Sequence, residues 1–98
     1  MARKRHISAS GAIYTGKCIY YGFRAGLDAT NDATITIYDN TAASGTEICP
    51  TNTYDASALG LNGEVLGDAA AIECDYGIYV DITCSGTCEV VVVYQPNL

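Results

Sequence analysis

The sequence predicts an all-β domain: a small antiparallel β-sandwich, jelly-roll or Ig-like, with an extended N-terminal arm. Three observations predict it. Short segments alternate apolar and polar residues with a period of two, most cleanly in Ile78-Tyr79-Val80-Asp81-Ile82-Thr83-Cys84. Turn chemistry recurs every 8–12 residues or so, the spacing of a sandwich or small barrel. The composition, with ten glycines, eight tyrosines and many Thr, Val and Ile, favours pleated sheet over helix. No helical period is sustained, and strands do not alternate with helices. At 98 residues the chain is one domain, divided here into a basic arm over 1–10 and a sandwich over 11–98.

Each element follows in order. Residues 1–10 show no alternation and read as an arm ordered by a partner. Residues 11–15 form a short strand. Residues 17–25 form a longer one, with Ile19, Tyr21 and Phe23 on one face and Cys18, Tyr20 and Arg24 on the other. Gly26 to Asp32 is a turn. Residues 33–39 are a strand with Ile35 and Ile37 on one face and Thr34, Thr36 and Tyr38 on the other. Residues 46–49 return as its hairpin partner, ended by Pro50. Residues 51–69 are the least patterned, with a tight-turn signal at Asn62-Gly63. Residues 70–75 are a strand, as are 78–84, where Ile78, Val80, Ile82 and Cys84 face inward. Ser85-Gly86-Thr87 reads as a three-residue hairpin loop leading into the final strand, 88–95, which Pro96 stops.

Charge is divided along the chain. All five basic residues (Arg3, Lys4, Arg5, Lys17, Arg24) lie within residues 1–24, which hold no acid; residues 25–98 hold all eleven acids and no Lys or Arg. Phosphate contacts require cations, so the acidic body argues against nucleic-acid binding. A chain 49% hydrophobic and 16% charged is not of disordered type. No apolar run approaches the ~20 residues of a membrane span, and no apolar stretch follows Arg3-Lys4-Arg5, so neither a membrane nor a secretory role is expected. The arm residues Arg3, Lys4, Arg5 and His6 are the candidate partner-binding group, directed at an acidic surface on a partner or a neighbouring copy.

Catalysis and metal binding find little support. A catalytic thiol needs a nearby base, and the single His lies in the arm. Paired carboxylates can hydrolyse glycosides, and Asp39 and Asp81 are the residues a hydrolase would use, but the chain has no Trp for a sugar platform. Asp28, Asn31 and Asp32 crowd one turn and Asp39-Asn40 another. Neither has the spacing of an EF-hand, and Asx residues in turns commonly bond their own backbone. The five cysteines stand open to three readings: buried free thiols, disulfides, or half a zinc site at Cys84-x3-Cys88. Cys84 and Cys88, placed on adjacent strands, are the candidate disulfide. No enzyme activity, metal or cofactor is expected.

The outward faces are not purely polar. Tyr20, Tyr38 and Tyr79 fall on outward parity, and Val91 and Val93 oppose the inward Val90 and Val92. These five are the candidate interface residues, because a strand apolar on both faces implies a second contact surface and therefore a homo-oligomer or partner.

The segments Thr34-Ile35-Thr36-Ile37-Tyr38-Asp39-Asn40-Thr41, Ser44-Gly45-Thr46 and Gly77-Ile78-Tyr79-Val80-Asp81-Ile82-Thr83, with the final Val90–Tyr94 run, resemble small β-sandwich virion proteins of tailed bacteriophages. The resemblance covers roughly residues 15–95 and carries over no catalytic or ligand residue. It implies a non-enzymatic virion component assembled in the host cytoplasm. The expected role is a capsid decoration (cement) protein bound to the major capsid protein or other virion subunits. The alternative is a receptor- or carbohydrate-binding module of a head fibre, neck or tail.

Overall fold

The computed structural model describes residues 3–27, 32–55, 63–67, 70–84 and 88–96. It is all-β, and two antiparallel sheets pack as a sandwich. The described residues form nine strands: β1 (Arg3–Ile7), β2 (Gly11–Thr15), β3 (Cys18–Leu27), β4 (Asp32–Asp39), β5 (Thr46–Asp55), β6 (Gly63–Val65), β7 (Ile72–Cys74), β8 (Gly77–Cys84) and β9 (Cys88–Pro96). Sheet I runs β1-β9-β3, and β6 and β7 share the far side of β3; sheet II runs β2-β8-β4-β5.

The core is built from the inward faces of the four central strands. Sheet I contributes Cys18, Tyr20 and Phe23 from β3 and Cys88, Val90, Val92 and Tyr94 from β9. Sheet II contributes Ala33, Ile35 and Ile37 from β4 and Ile78 and Val80 from β8. Ile13, Cys49 and Cys74 close it from the edges. Alternation selects these residues in β4, β8 and β9; Thr36 on the opposite face of β4 is also buried, and Ile82 and Cys84 at the end of β8 are only partly so. The tyrosine rings of Tyr14 on β2 and Tyr94 on β9 meet across the sheets, with centroids 5.6 Å apart and planes tilted 36°.

The expected faces of β3 change part-way along. Tyr20 pairs with Tyr94, but the next β9 residue, Val93, pairs with Gly22, so Tyr21 is an extra residue in the ladder. The parity therefore switches: Cys18, Tyr20 and Phe23 all face inward, and a strict period of two fails for this strand. Gly22 sits at φ 127°, a conformation that favours glycine. Tyr20 is consequently fully buried and is not an interface residue.

Three further expectations are corrected. The N-terminal segment is extended, but it is laid along the body: Arg3 to Ile7 pair with Tyr94 to Val90, which makes β1 the edge strand of sheet I. Cys84 and Cys88 do not sit on adjacent strands, because β8 belongs to sheet II and β9 to sheet I, and no disulfide joins them. The 85–87 loop itself, the Asp28–Asn31 part of the first acidic turn and Asn62 lie outside the described residues. Finally, β5 does not end at Pro50 but runs to Asp55. As an edge strand with register shifts on both sides of Cys49, it tolerates a residue that lacks an N–H.

The β7–β8 turn brings Gly77 close against the backbone of β2. Gly77 has φ 145°, and a Cβ there would run into the carbonyl oxygen of Tyr14 on β2. Gly67 is open, with nothing within 4 Å of an added Cβ. Gly77→Ala is expected to cost about 2–4 kcal/mol of unfolding free energy, and Gly67→Ala less than about 0.5 kcal/mol. Urea denaturation of the two variants checks the contrast.

Candidate interaction surface

The outer face of sheet I gathers Lys4, His6, Val91 and Val93 from the residues singled out by charge and by outward apolar parity, and adds Arg24. Val91 on β9 lies between His6 on β1 and Arg24 on β3, and Val93 lies between Lys4 and Gly22. Cross-strand partners share a face, so two valines are framed by Lys4, His6 and Arg24. Both valines are half-buried, whereas the three cationic or imidazole side chains are exposed. Gly22 offers no side chain to cover Val93, a direct consequence of the bulge. At one end of the face, His6 Nδ1 lies 2.7 Å from Glu89 Oε1. At the other, the Tyr21 hydroxyl donates to Gln95 Oε1 at 3.3 Å. The His6–Glu89 pair is exposed on both sides and is worth less than about 1 kcal/mol.

Arg5 has a different task. It opposes the inward Val92, but at the sheet edge it escapes the core and stays exposed. Its Nη1 donates to the carbonyl oxygen of Ile13 on β2 at 2.9 Å, clasping the edge of sheet I to sheet II. Arg3, Lys4, Arg5 and His6 thus do not act as one group. Lys4 and His6 belong to the outer face, Arg5 to the seam between the sheets, and Arg3 opposes Tyr94 at the outer end of the ladder.

The charge division of the sequence becomes a division between sheets. The strands of sheet II carry Asp32, Asp39, Glu47, Asp55 and Asp81 and no Lys or Arg. Those of sheet I carry Arg3, Lys4, Arg5 and Arg24 against Glu64, Glu73 and Glu89. The outer face of sheet II is a field of hydroxyls. Thr34 and Thr53 share a hydrogen bond at 3.1 Å, and Thr36 and Thr51 share one at 2.7 Å. Tyr38 and Tyr79 oppose each other there and are half-buried. Tyr76, in the β7–β8 turn, is the exposed large aromatic among the described residues.

The carboxylates weighed for hydrolysis are engaged in local structure. Asp39 accepts the backbone N–H of Asp75 at 3.1 Å and of Tyr76 at 3.0 Å, tying the β7–β8 turn to the end of β4. Asp81 accepts the Ser10 hydroxyl at 3.0 Å. Among the described residues, no three His, Cys, Asp or Glu side chains converge as metal ligands.

One juxtaposition escaped the reading of the sequence. Cys18 and Cys74 are directly opposed in the β3–β7 ladder, and both are fully buried. No local signal marks them, because they are 56 positions apart and meet only through a three-residue strand. Compared with protein-family models, with curated proteins and with solved structures, the chain finds no match in any of the three.

Burial pushes both of these thiols above their ordinary range, Cys74 furthest, with its neighbour Cys18 adding to the effect. A raised thiol pKa leaves little thiolate at pH 8. Cys84 is only half-buried, so reagent reaches its sulfur without unfolding. In the reduced folded protein, N-ethylmaleimide at pH 8 should therefore label Cys84 before Cys18 and Cys74, which should react only on denaturation. Peptide mapping after timed quenching measures the order. Equal rates for Cys18 and Cys84 would contradict the buried placement of β7.

Proposed function

We propose that this chain is a structural subunit of a tailed-phage virion, a capsid decoration protein that binds its neighbours through the outer face of sheet I. The observation that carries the reading is the pair of half-buried valines, Val91 and Val93, set among Lys4, His6 and Arg24, on a molecule whose other sheet has no Lys or Arg in its strands. Apolar centres with cationic rims suit protein surfaces that are themselves acidic. The partner is an acidic groove of the major capsid protein, or an adjoining virion subunit or copy of this chain. The edge position of β1 supports the same reading. Lys and Arg along an open edge discourage indiscriminate strand pairing and still admit an acidic partner. The role is mechanical: many copies contribute contact energy across subunit junctions, without chemistry, cofactor or nucleic acid. The engagement of Asp39 and Asp81 in backbone and hydroxyl contacts supports a non-enzymatic role.

A receptor- or carbohydrate-binding module would need exposed aromatic side chains to stack on its ligand. Tyr20 is buried and Tyr38 and Tyr79 are half-buried, which leaves Tyr76 as its exposed aromatic among the described residues. That arrangement favours it less.

The test is co-sedimentation with shells assembled from the major capsid protein of the virion this chain is proposed to join. The wild type should bind, and the Lys4→Glu/Arg24→Glu variant should bind at least about tenfold more weakly while keeping its circular dichroism spectrum, since rim charges act on association more than on the fold. Binding should also weaken between 0.1 M and 0.5 M salt, roughly, as exposed charges are screened. A wild type that stays monomeric and ignores the shells would overturn the proposal, as would binding indifferent to the charge reversal.

A further inference from the structure

We propose that Cys18 and Cys74 form a disulfide by exchange with a low-molecular-weight disulfide such as oxidised glutathione. Strand register favours this pair. Directly opposed residues of an antiparallel pair have Cα atoms about 4.5–5.5 Å apart, inside the ~4.4–6.8 Å range of disulfides. Cys18 and Cys74 are such a pair, both turned into the core and both fully buried. The Cys74 thiol reaches the Ile72 carbonyl oxygen at 3.8 Å, within its own short strand. The other three cysteines have no cysteine opposite them: Cys49 faces Ile37, Cys84 faces Ala33 and Cys88 faces Leu27. The ladder therefore selects one pairing.

The exchange is balanced in two steps. The Cys18 thiolate attacks one sulfur of oxidised glutathione, forms a mixed disulfide and expels one glutathione thiolate. The Cys74 thiolate then attacks the Cys18 sulfur and expels the second. Two S–H bonds are lost and one S–S bond forms; the two cysteines are oxidised, and the glutathione disulfide is reduced to two thiols that carry away the protons. Attack requires thiolate and access, and the native pocket offers little of either. The bond therefore forms while the chain folds, before β7 has sealed against β3. The reduced native protein should oxidise slowly.

The link would close a chain segment running from residue 18 to residue 74 and pin a strand of only three residues to the centre of sheet I. Long closed loops gain most from a cross-link, so the oxidised protein should melt roughly 10 °C or more above the reduced one.

The experiment refolds the full chain from denaturant in oxidised and reduced glutathione, alkylates free thiols under denaturing conditions, and measures intact mass and non-reduced peptide maps. The expected result is the loss of two hydrogens, a linked peptide joining Cys18 to Cys74, and alkylation at Cys49, Cys84 and Cys88. The Cys84→Ser/Cys88→Ser variant keeps the proposed pair and should show the same link and the same rise in melting temperature on oxidation. Five alkylated cysteines after oxidative refolding would overturn the proposal. So would a link between Cys84 and Cys88, or one joining Cys18 to any sulfur but that of Cys74. None of these outcomes depends on what the protein binds.

Discussion

The pairing of β3 with β9 is the constraint on which the rest of this structure depends. It is the longest ladder in the sandwich, reaching from Cys18 opposite Pro96 to Leu27 opposite Cys88. It aims Tyr20, Phe23, Val90 and Val92 into the core. It leaves β9 free on its far side to receive β1, and β3 free on its far side to receive β6 and β7. Had the ladder no bulge, Phe23 would share the outward parity of Ile19 and Tyr21, and Arg24 would point among buried side chains. One extra residue at Tyr21 avoids both outcomes. The same residue brings Gly22 opposite Val93 and leaves that valine partly open to water.

Sheet II answers with a more regular partner. Its two central strands keep strict alternation, so Ala33, Ile35, Ile37, Ile78 and Val80 present one continuous apolar layer. The irregularities fall at its edges: a register shift in β2 between Ala12 and Tyr14, and shifts in β5 around Cys49. Bulges at edges bend and twist strands that have only one neighbour. In β2 the shift places both Ile13 against the core and the Tyr14 ring against Tyr94.

How much of this was legible follows from range. The faces of β4, β8 and β9 could be read directly, because alternation is local and the pattern Ile78-Tyr79-Val80 states it outright. The placement of Val91 and Val93 opposite to Val90 and Val92 was legible for the same reason. The face switch in β3 was not, since a bulge is dictated by which residues of a distant strand are opposed. The Tyr21-Gly22 pair was its only trace. Strand partners were legible where they are consecutive, as in β4 and β5. They were illegible where the chain crosses between sheets, which is why Cys84 and Cys88 read as neighbours. The basic segment read correctly as extended, but β1 contains no alternation to mark it as a strand: the side chains that should point inward are Arg3 and Arg5, at an edge where inward still means water. The facing of Cys18 and Cys74 depends on two ladders at once and leaves no local signature.

The allocation of charge to opposite sheets has a consequence beyond contact. A body whose strand cations all lie on one layer, beside three glutamates, while the strands of the other layer carry carboxylates alone, has an electric dipole with a component through its thickness. In the field of a charged surface such a body turns before it touches, so it arrives with one broad face already leading. Random docking of a small protein wastes most encounters on wrong orientations. Sorting charge between the layers of a sandwich is one way to narrow such a search.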